Sequence, residues 1–396
     1  MTTQVAVANL DGIAVASDTL VTFGKKTLDG ARKIYELGDT HKVLMMHSGS
    51  ARISGTTQYL HFVEWAKTLG EPFPKLTDYI DSYLAWAALP HAVISDEGKR
   101  QNIEFVLNDH YGWMRENRMY PRLAAPTVDG NERSLEEDIE ITSKVIAEGR
   151  AHLEGLADFD GLTEKVAQQL LKEFEIDLDS KINGHFKGYP ISDQGRADLI
   201  AQAPLVLLKR QEMDTDSSIA FVGYGADEPY PAVVRMRLRG MLGGHVQAIV
   251  EDGLVITAEI NSSVSFFAQY GAMDALLSGA HEAVLRTVWN GIGETLESRF
   301  PDLPEEDIRE IIDAVNTRVR RHSRENFVEP FMSTISAMGI GKLADLADSL
   351  IRLQLTSAHG DYDRATIGGT IEVAIIDRQH GVRWVSKIKE DVLSEH

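Results

Sequence analysis

The stretch "TTQVAVANLDGIAVASD", Thr2 to Asp18, limits the fold of this 396-residue chain more than any other. Val5 and Val7 alternate with Ala6 and Ala8, and Ile13 and Val15 alternate with Ala14 and Ala16. A period of two is the mark of a strand, and the Asp11-Gly12 pair between the two runs is a strong hairpin-turn signal. The strand pattern starts directly behind Met1, where most chains carry polar or disordered residues. An antiparallel sheet is therefore expected from the first residues onward.

A further strand fits "KVLMMHS", Lys42 to Ser48, which ends in the turn "SGS". Helical spacing follows in "TTQYLHFVEWAKTL" and in "KLTDYIDSYLAWAAL", where Leu76, Ile80, Tyr83, Leu84 and Ala87 recur on one face. Strands are expected again in "SSIAFVGYG", "PAVVRMRLRG", "HVQAIVEDG" and "LVITAEINSS", then helices from about Phe266 to Ala358, then two closing strands. The region 121–213 is polar and reads as short helices separated by Gly- and Pro-containing loops. The division is thus 1–120 and 214–396 as two parts of one core, 121–213 as a helical insertion, and extended helices near 290–338. Hairpin-sized strand pairs imply antiparallel sheets, and helical blocks between strand sets imply layers. The expected fold is α+β, a four-layer αββα sandwich of two antiparallel sheets.

Composition removes several function classes. There is no Cys, so neither disulfides nor thiol catalysis is available. The formal charge of -20 argues against a general affinity for nucleic acid or anionic lipid. The one basic cluster, "RVRRHSR" from Arg318 to Arg324, reads as a solvated helix face. No apolar run approaches the roughly 20 residues of a membrane span, and the N-terminal residues lack the basic, apolar and small-residue order of a secretory signal. A cytoplasmic location without membrane partners is expected. The His residues lack ligand spacing, so no metal is expected, and the absence of phosphate- and dinucleotide-binding motifs implies no cofactor.

Thr2 gives the early strand a chemical sense. A Thr hydroxyl is a weak nucleophile unless a base adjoins it. A free α-amine on Thr2 would be that base, with a reference pKa of about 7.7–8.0 near the working pH. Met1 must be removed first, and the small Thr2 side chain permits it. Asp18 ends the returning strand of the hairpin and so lies beside the terminus. Lys33, in "GARKIYEL", is expected in the next strand; its charge would lower the amine's pKa, and Asp18 would hold it. Gly49, in the turn before a helix, can present a backbone N–H to a developing oxyanion.

These residues resemble the proteasome β-subunit superfamily of N-terminal-nucleophile hydrolases, which includes the peptidase partner of the HslU unfoldase and the ancestral bacterial β-subunit relatives. The matching segments are "TTQVAVANLDGIAVASDTLVTFG", "RKIYEL" and "KVLMMHSGSARISG". The resemblance implies that Thr2 is the nucleophile, that Asp18 and Lys33 tune it, that Thr22 aligns the substrate backbone, and that Gly49 supplies the oxyanion donor. His47 and Ala51 flank the family's specificity position. "INSSVSFFAQYGAMDALLSG" resembles the stretch donating a catalytic Ser, making Ser263 the candidate with Ser262 close behind, although the family's Gly-Ser-Gly is absent. "DYDRATIGG" resembles the closing Asp…Ser-Gly-Gly segment, through Asp363 and Thr366, with Ile367 intervening before the glycines.

By this resemblance the chain is a threonine peptidase acting on peptides or unfolded proteins, built as a homo-oligomeric ring or helical assembly, with an ATPase as a conceivable partner. Two alternatives fit the same residues: a catalytically inactive ring or scaffold subunit, and a non-peptide amidase on the same fold.

Overall fold

A computed structural model describes residues 2–23, 26–90, 93–126, 132–213, 216–360 and 367–387 of the chain. The expected hairpin forms: β1 (Thr3–Asn9) and β2 (Gly12–Asp18) pair antiparallel, with Gln4 opposite Ser17 and Asn9 opposite Gly12. Short strands follow, β3 (Val21–Phe23) with β4 (Lys26–Leu28), then β5 (Ile34–Glu36) with β6 (Val43–Ser48). Lys33 thus stands immediately before its expected strand. After β7 (Arg52–Ile53) and β8 (Thr56–Thr57) come α1 (Gln58–Ala66), α2 (Thr77–Ala88) and α3 (Asp96–Trp113). The Thr57 hydroxyl caps α1 and the Ser95 hydroxyl caps α3, each accepting from an N–H of the first turn.

The next helices are α4 (Tyr120–Ala124), α5 (Leu135–Glu154), α6 (Glu164–Glu173), α7 (Leu178–His185) and α8 (Asp193–Leu208). A reciprocal Ser134/Glu137 capping box starts α5. Helices α5 to α8 share an apolar cluster with α3, in which Ile103, Val106 and Tyr111 meet Val145, Leu170, Ile182 and Leu199.

Strands resume with β9 (Ser217–Gly223), β10 (Ala232–Leu242), β11 (His245–Val255) and β12 (Ser262–Ala268), followed by α9 (Gly271–Ser278). Here the reading of the sequence needs correction. "HVQAIVEDG" and the start of "LVITAEINSS" form one strand, and Phe266 belongs to a strand instead of opening the helices. The segment "SSVSFFA" pairs antiparallel with the free edge of β1, and that pairing decides its conformation. Then come α10 (Glu282–Arg299), α11 (Glu305–Ser323), α12 (Glu329–Ser336), α13 (Ile340–Gly360), β13 (Ile371–Asp377) and β14 (Gly381–Ser386). Arg318, Arg320 and Arg321 end α11 as an exposed basic turn, where cations complement the helix dipole. No described helix is long and apolar enough to cross a membrane.

The protein is therefore α+β with antiparallel sheets. One five-stranded sheet has the order β12-β1-β2-β13-β14 and the other β11-β10-β9-β6-β5. Every position of β1 and β2 is buried, which requires apolar partners on both faces. Ala6, Ala8, Ile13 and Val15 cluster with Leu44, Met46, Ala220 and Val222 of the second sheet. The alternate residues Val5, Val7, Ala14 and Ala16 cluster with Met273 of α9, Ile335 of α12 and Leu343 and Ile351 of α13. On the second sheet, Met45, Ile219 and Phe221 cluster with Trp65 of α1 and Tyr79 and Tyr83 of α2.

Candidate active site

The hairpin register sets the first element of the site. Because Gln4 faces Ser17, Asp18 arrives beside Thr3. Its Oδ1 accepts from the Thr3 N–H at 3.0 Å and from Lys33 Nζ at 2.7 Å, and its Oδ2 accepts from the Gly368 N–H at 3.1 Å. Lys33 Nζ also donates to the Leu20 carbonyl at 2.8 Å. The side chains of Lys33 and Asp18 are 3% and 0% exposed. Burial pushes the Lys33 ammonium below its ordinary pKa, while the Asp18 carboxylate works in the opposite direction.

Thr2 is 7% exposed, and two bonds fix the backbone around it. Its carbonyl accepts from the Gln269 N–H at 3.0 Å, and the Thr3 hydroxyl donates to the Gln269 carbonyl at 2.8 Å. Ala268, directly opposite Thr3, holds φ 61°, an unusual value for a residue with a side chain.

Gly49 follows β6 at φ 89°. A Cβ there would lie 2.7 Å from the Asp216 carbonyl oxygen and 3.0 Å from Ser217 Cα, so only glycine fits this turn. His47, two residues earlier, stacks on Tyr35 with ring centroids 5.4 Å apart, and its Nε2 is 3.2 Å from the Tyr35 hydroxyl. That hydroxyl donates to the Arg32 carbonyl at 2.8 Å. Desolvation, assisted by the charge of Lys33, pushes the His47 imidazole down to about 4, so it is neutral at neutral pH.

Thr2, Thr22, Lys33, His47, Gly49 and Ala51 line a single cleft of about 820 Å³, a size that suits a small ligand or peptide side chains. Six of the ten residues singled out from the sequence thus meet in one place, with Asp18 beneath them. Ser263 is not among them. It pairs with Ala8, five residues along β1 from Thr3 and so roughly 17 Å away at the strand rise. The reason is topological: β12 runs antiparallel to β1, so the residues beside Thr2 are Gln269 to Gly271, which include no Ser. Ser262 is farther still, with its hydroxyl on the Met332 carbonyl at 2.8 Å. Asp363 and Thr366 lie outside the described residues.

Other contributors were not picked out from the sequence. Asp29 Oδ1 lies 2.5 Å from Thr19 Oγ1 and accepts from the N–H groups of Gly30 at 2.7 Å and Thr370 at 3.3 Å. The bond from Thr19 holds its pKa below the ordinary carboxylate range. Gly369, at φ 78°, packs so closely that a Cβ would lie 2.0 Å from Asp29 Oδ1. Gln4, 1% exposed in β1, donates to the His47 carbonyl at 3.0 Å and ties the two sheets together. An amide side chain at the start of an apolar alternation was the available signal for Gln4, and the Asp-Gly turn pair for Asp29. Among the described residues, no three His, Asp or Glu side chains gather as metal ligands.

No family model matches the chain. No curated protein sequence matches it either. Solved structures similar to it include Anbu from Hyphomicrobium sp. strain MC1, at 10% identity over 98% of this chain and 89% of that one. The Gly-1 mutant of that protein matches at 9% identity over 98% and 88%. Anbu (ancestral beta-subunit) from Yersinia bercovieri matches at 8% identity over 98% and 88%. Each has a TM-score of 0.30, so the chemistry considered next rests on this chain's own residues.

Proposed function

We propose that this protein is a threonine-type N-terminal-nucleophile amidohydrolase that cleaves peptide bonds once removal of Met1 frees the Thr2 amine. The supporting observation is the Asp18 carboxylate, which accepts from Thr3, Lys33 and Gly368, while Thr2 and Lys33 open onto one cleft. In this reading Asp18 keeps Lys33 charged, and the positive charge favours the neutral, proton-accepting form of the Thr2 amine. The amine takes the proton from Oγ as the oxygen attacks a carbonyl carbon. The resulting oxyanion would be met by the Gly49 backbone N–H. The proton then passes to the leaving amine, the C–N bond breaks, and an ester remains on Thr2. Water, deprotonated by the same amine, releases the acid and restores the hydroxyl. Thr22 would align the substrate backbone, and His47 and Ala51 would border the pocket for the side chain before the scissile bond.

The fold assignment belonging to this reading is the four-layer αββα sandwich, supported by the three apolar clusters on the two sheets. Ser263 takes no part in this mechanism, because it stands opposite Ala8 and away from Thr2. The assembly would be a homo-oligomeric ring or helix. The test is the intact mass before and after exposure to an epoxyketone peptide, a warhead that needs both a hydroxyl and a free α-amine. The expected result is a mass lacking one methionine, plus a single adduct that Thr2→Ala abolishes. A retained Met1 with no adduct would move the assignment to a non-catalytic ring subunit.

A further inference from the structure

We infer that α11 is a self-pairing surface: two copies of this chain meet antiparallel along it, about a two-fold axis at Ala314. The inference takes from the preceding reading only that copies associate, and nothing of the chemistry at Thr2.

Helices α10 and α11 lie against each other, since a Cβ on Gly293 of α10 would meet Ile312 Cδ1 at 3.5 Å. Nothing else covers them closely: no residue of α10 is buried, and Ile308 is the one buried residue of α11. Ile308, Ile312, Val315 and Val319 recur three or four apart and are buried or half-buried, which marks the inner face of α11. A second face carries Asp307, Ile311, Ala314, Arg318 and Arg321, at spacings of four, three, four and three. That is the seam spacing of paired helices. All five residues are exposed, Ile311 at 40%. Glu310, beside the seam, is exposed as well. Among the described residues, none forms an ion pair with Asp307, Glu310, Arg318 or Arg321.

The charges along this face are self-complementary. Reversing a second α11 about Ala314 sets Asp307 against Arg321 of the partner subunit and Glu310 against Arg318 of the partner subunit. The two-fold axis repeats both contacts. Ile311 then falls against Thr317 of the partner subunit; the Thr317 hydroxyl is spent on the Asp313 carbonyl at 2.8 Å, which leaves the methyl group for contact. Ala314 faces its own copy, and its small side chain lets the helix axes approach to about 8 Å. A parallel pairing would set Asp307 against Asp307 and Arg321 against Arg321, so charge selects the antiparallel one. The whole chain carries a formal charge of -20, yet α11 holds five acidic residues and four arginines. Repulsion from charges beyond about 8–10 Å is screened at physiological salt, so this nearly balanced helix is where two copies repel least. Asp307 and Glu310 on the same face also oppose a polyanion as the occupant. Exposed ion pairs are individually weak, so they set register and direction while Ile311 and Ala314 supply apolar contact.

The chain has no Cys, so Ala314→Cys places a single thiol at the proposed axis. Antiparallel pairing brings two such thiols within disulfide reach, with Cα atoms about 4.4–6.8 Å apart. Under mild oxidation the full-length variant is expected to run as a covalent dimer on a non-reducing gel. Its yield should exceed by about tenfold that of Arg309→Cys, exposed on another side of α11, and should fall with added salt. Arg318→Glu with Arg321→Glu in the Ala314→Cys background should lower the yield about tenfold. Adding Asp307→Arg with Glu310→Arg should restore it, which a folding defect would not allow. Equal yields from Ala314→Cys and Arg309→Cys, or a yield unmoved by the reversal, overturn the inference. A reversal that weakens only binding to heparin assigns the arginines to a polyanion and overturns it too. Mass photometry separates the contact from assembly in general: wild-type particles larger than one chain, with no Ala314→Cys cross-link, leave the oligomer standing and the α11 contact refuted. The epoxyketone adduct at Thr2 is read independently, so either result can fail without the other.

Discussion

Replacing Asp18 by alanine tests the buried frame beneath Thr2 without touching the cleft lining. The carboxylate satisfies two backbone N–H groups and one ammonium, at 3.0, 3.1 and 2.7 Å. Each orphaned buried N–H costs about 1–3 kcal/mol. Stranding a buried cation by removing its partner costs about 3–5 kcal/mol in measured cases. These losses overlap, because Lys33 keeps the Leu20 carbonyl and water can enter the space left. The net expected loss is about 4 kcal/mol, a large share of the roughly 5–15 kcal/mol that holds a domain folded. Urea titrations at pH 7 measure it directly. Adding Lys33→Met to Asp18→Ala removes the stranded charge and should return about 2 kcal/mol. The pH dependence has a definite sign. Lys33 titrates below its ordinary value in the folded protein, so between its folded and unfolded pKa values the unfolded chain binds the extra proton. Stability therefore rises with pH across that window and falls as pH drops through it, and more steeply in Asp18→Ala than in wild type. A loss below about 1 kcal/mol, or a double variant no more stable than Asp18→Ala, would refute the buried-pair account.

Gly49→Ala should lower stability by about 2 kcal/mol or more, since the new methyl meets backbone atoms at 2.7 and 3.0 Å in a left-handed conformation. Thermal melting of this variant beside Gly30→Ala, where a Cβ meets nothing within 4 Å, separates the clash from the conformational cost; equal losses would contradict it. Acid should destabilise the protein between about pH 6.5 and 4. Burial holds His110 down to about 4, despite the bond to the Gln211 amide oxygen, so in this window the unfolded chain binds the proton and the folded one does not. The effect of His110 alone is about 3 kcal/mol. An NMR titration showing the His110 ring protonating near its ordinary value would rule this out.

Much of the site was legible because it is local. The hairpin through Asp11-Gly12 fixes which residue returns beside Thr3, so strand length alone brought Asp18 to its place. The turn after "KVLMMHS" announced Gly49 through its glycine, and the helical spacing of Ile80, Tyr83 and Ala87 announced the buried face of α2. Ser263 failed for the opposite reason. Its placement depends on how a distant strand registers against β1, and a shift along an edge leaves no mark in either sequence segment.

The residues of this chain determined its alternating hairpin, its capped helices, the absence of thiol chemistry and the return of the Asp18 carboxylate to the start of β1. Tertiary structure decided what came from far away: Gly368 closing on Asp18 across 350 positions, Gln269 clasping Thr2 and Thr3, and one cleft that collects Thr2, Thr22 and Gly49. Strand periodicity and turn chemistry act over a few residues and can be read in order. Long-range pairing is set by which edges and faces remain to be covered after the local elements form, and that is a property of the whole chain.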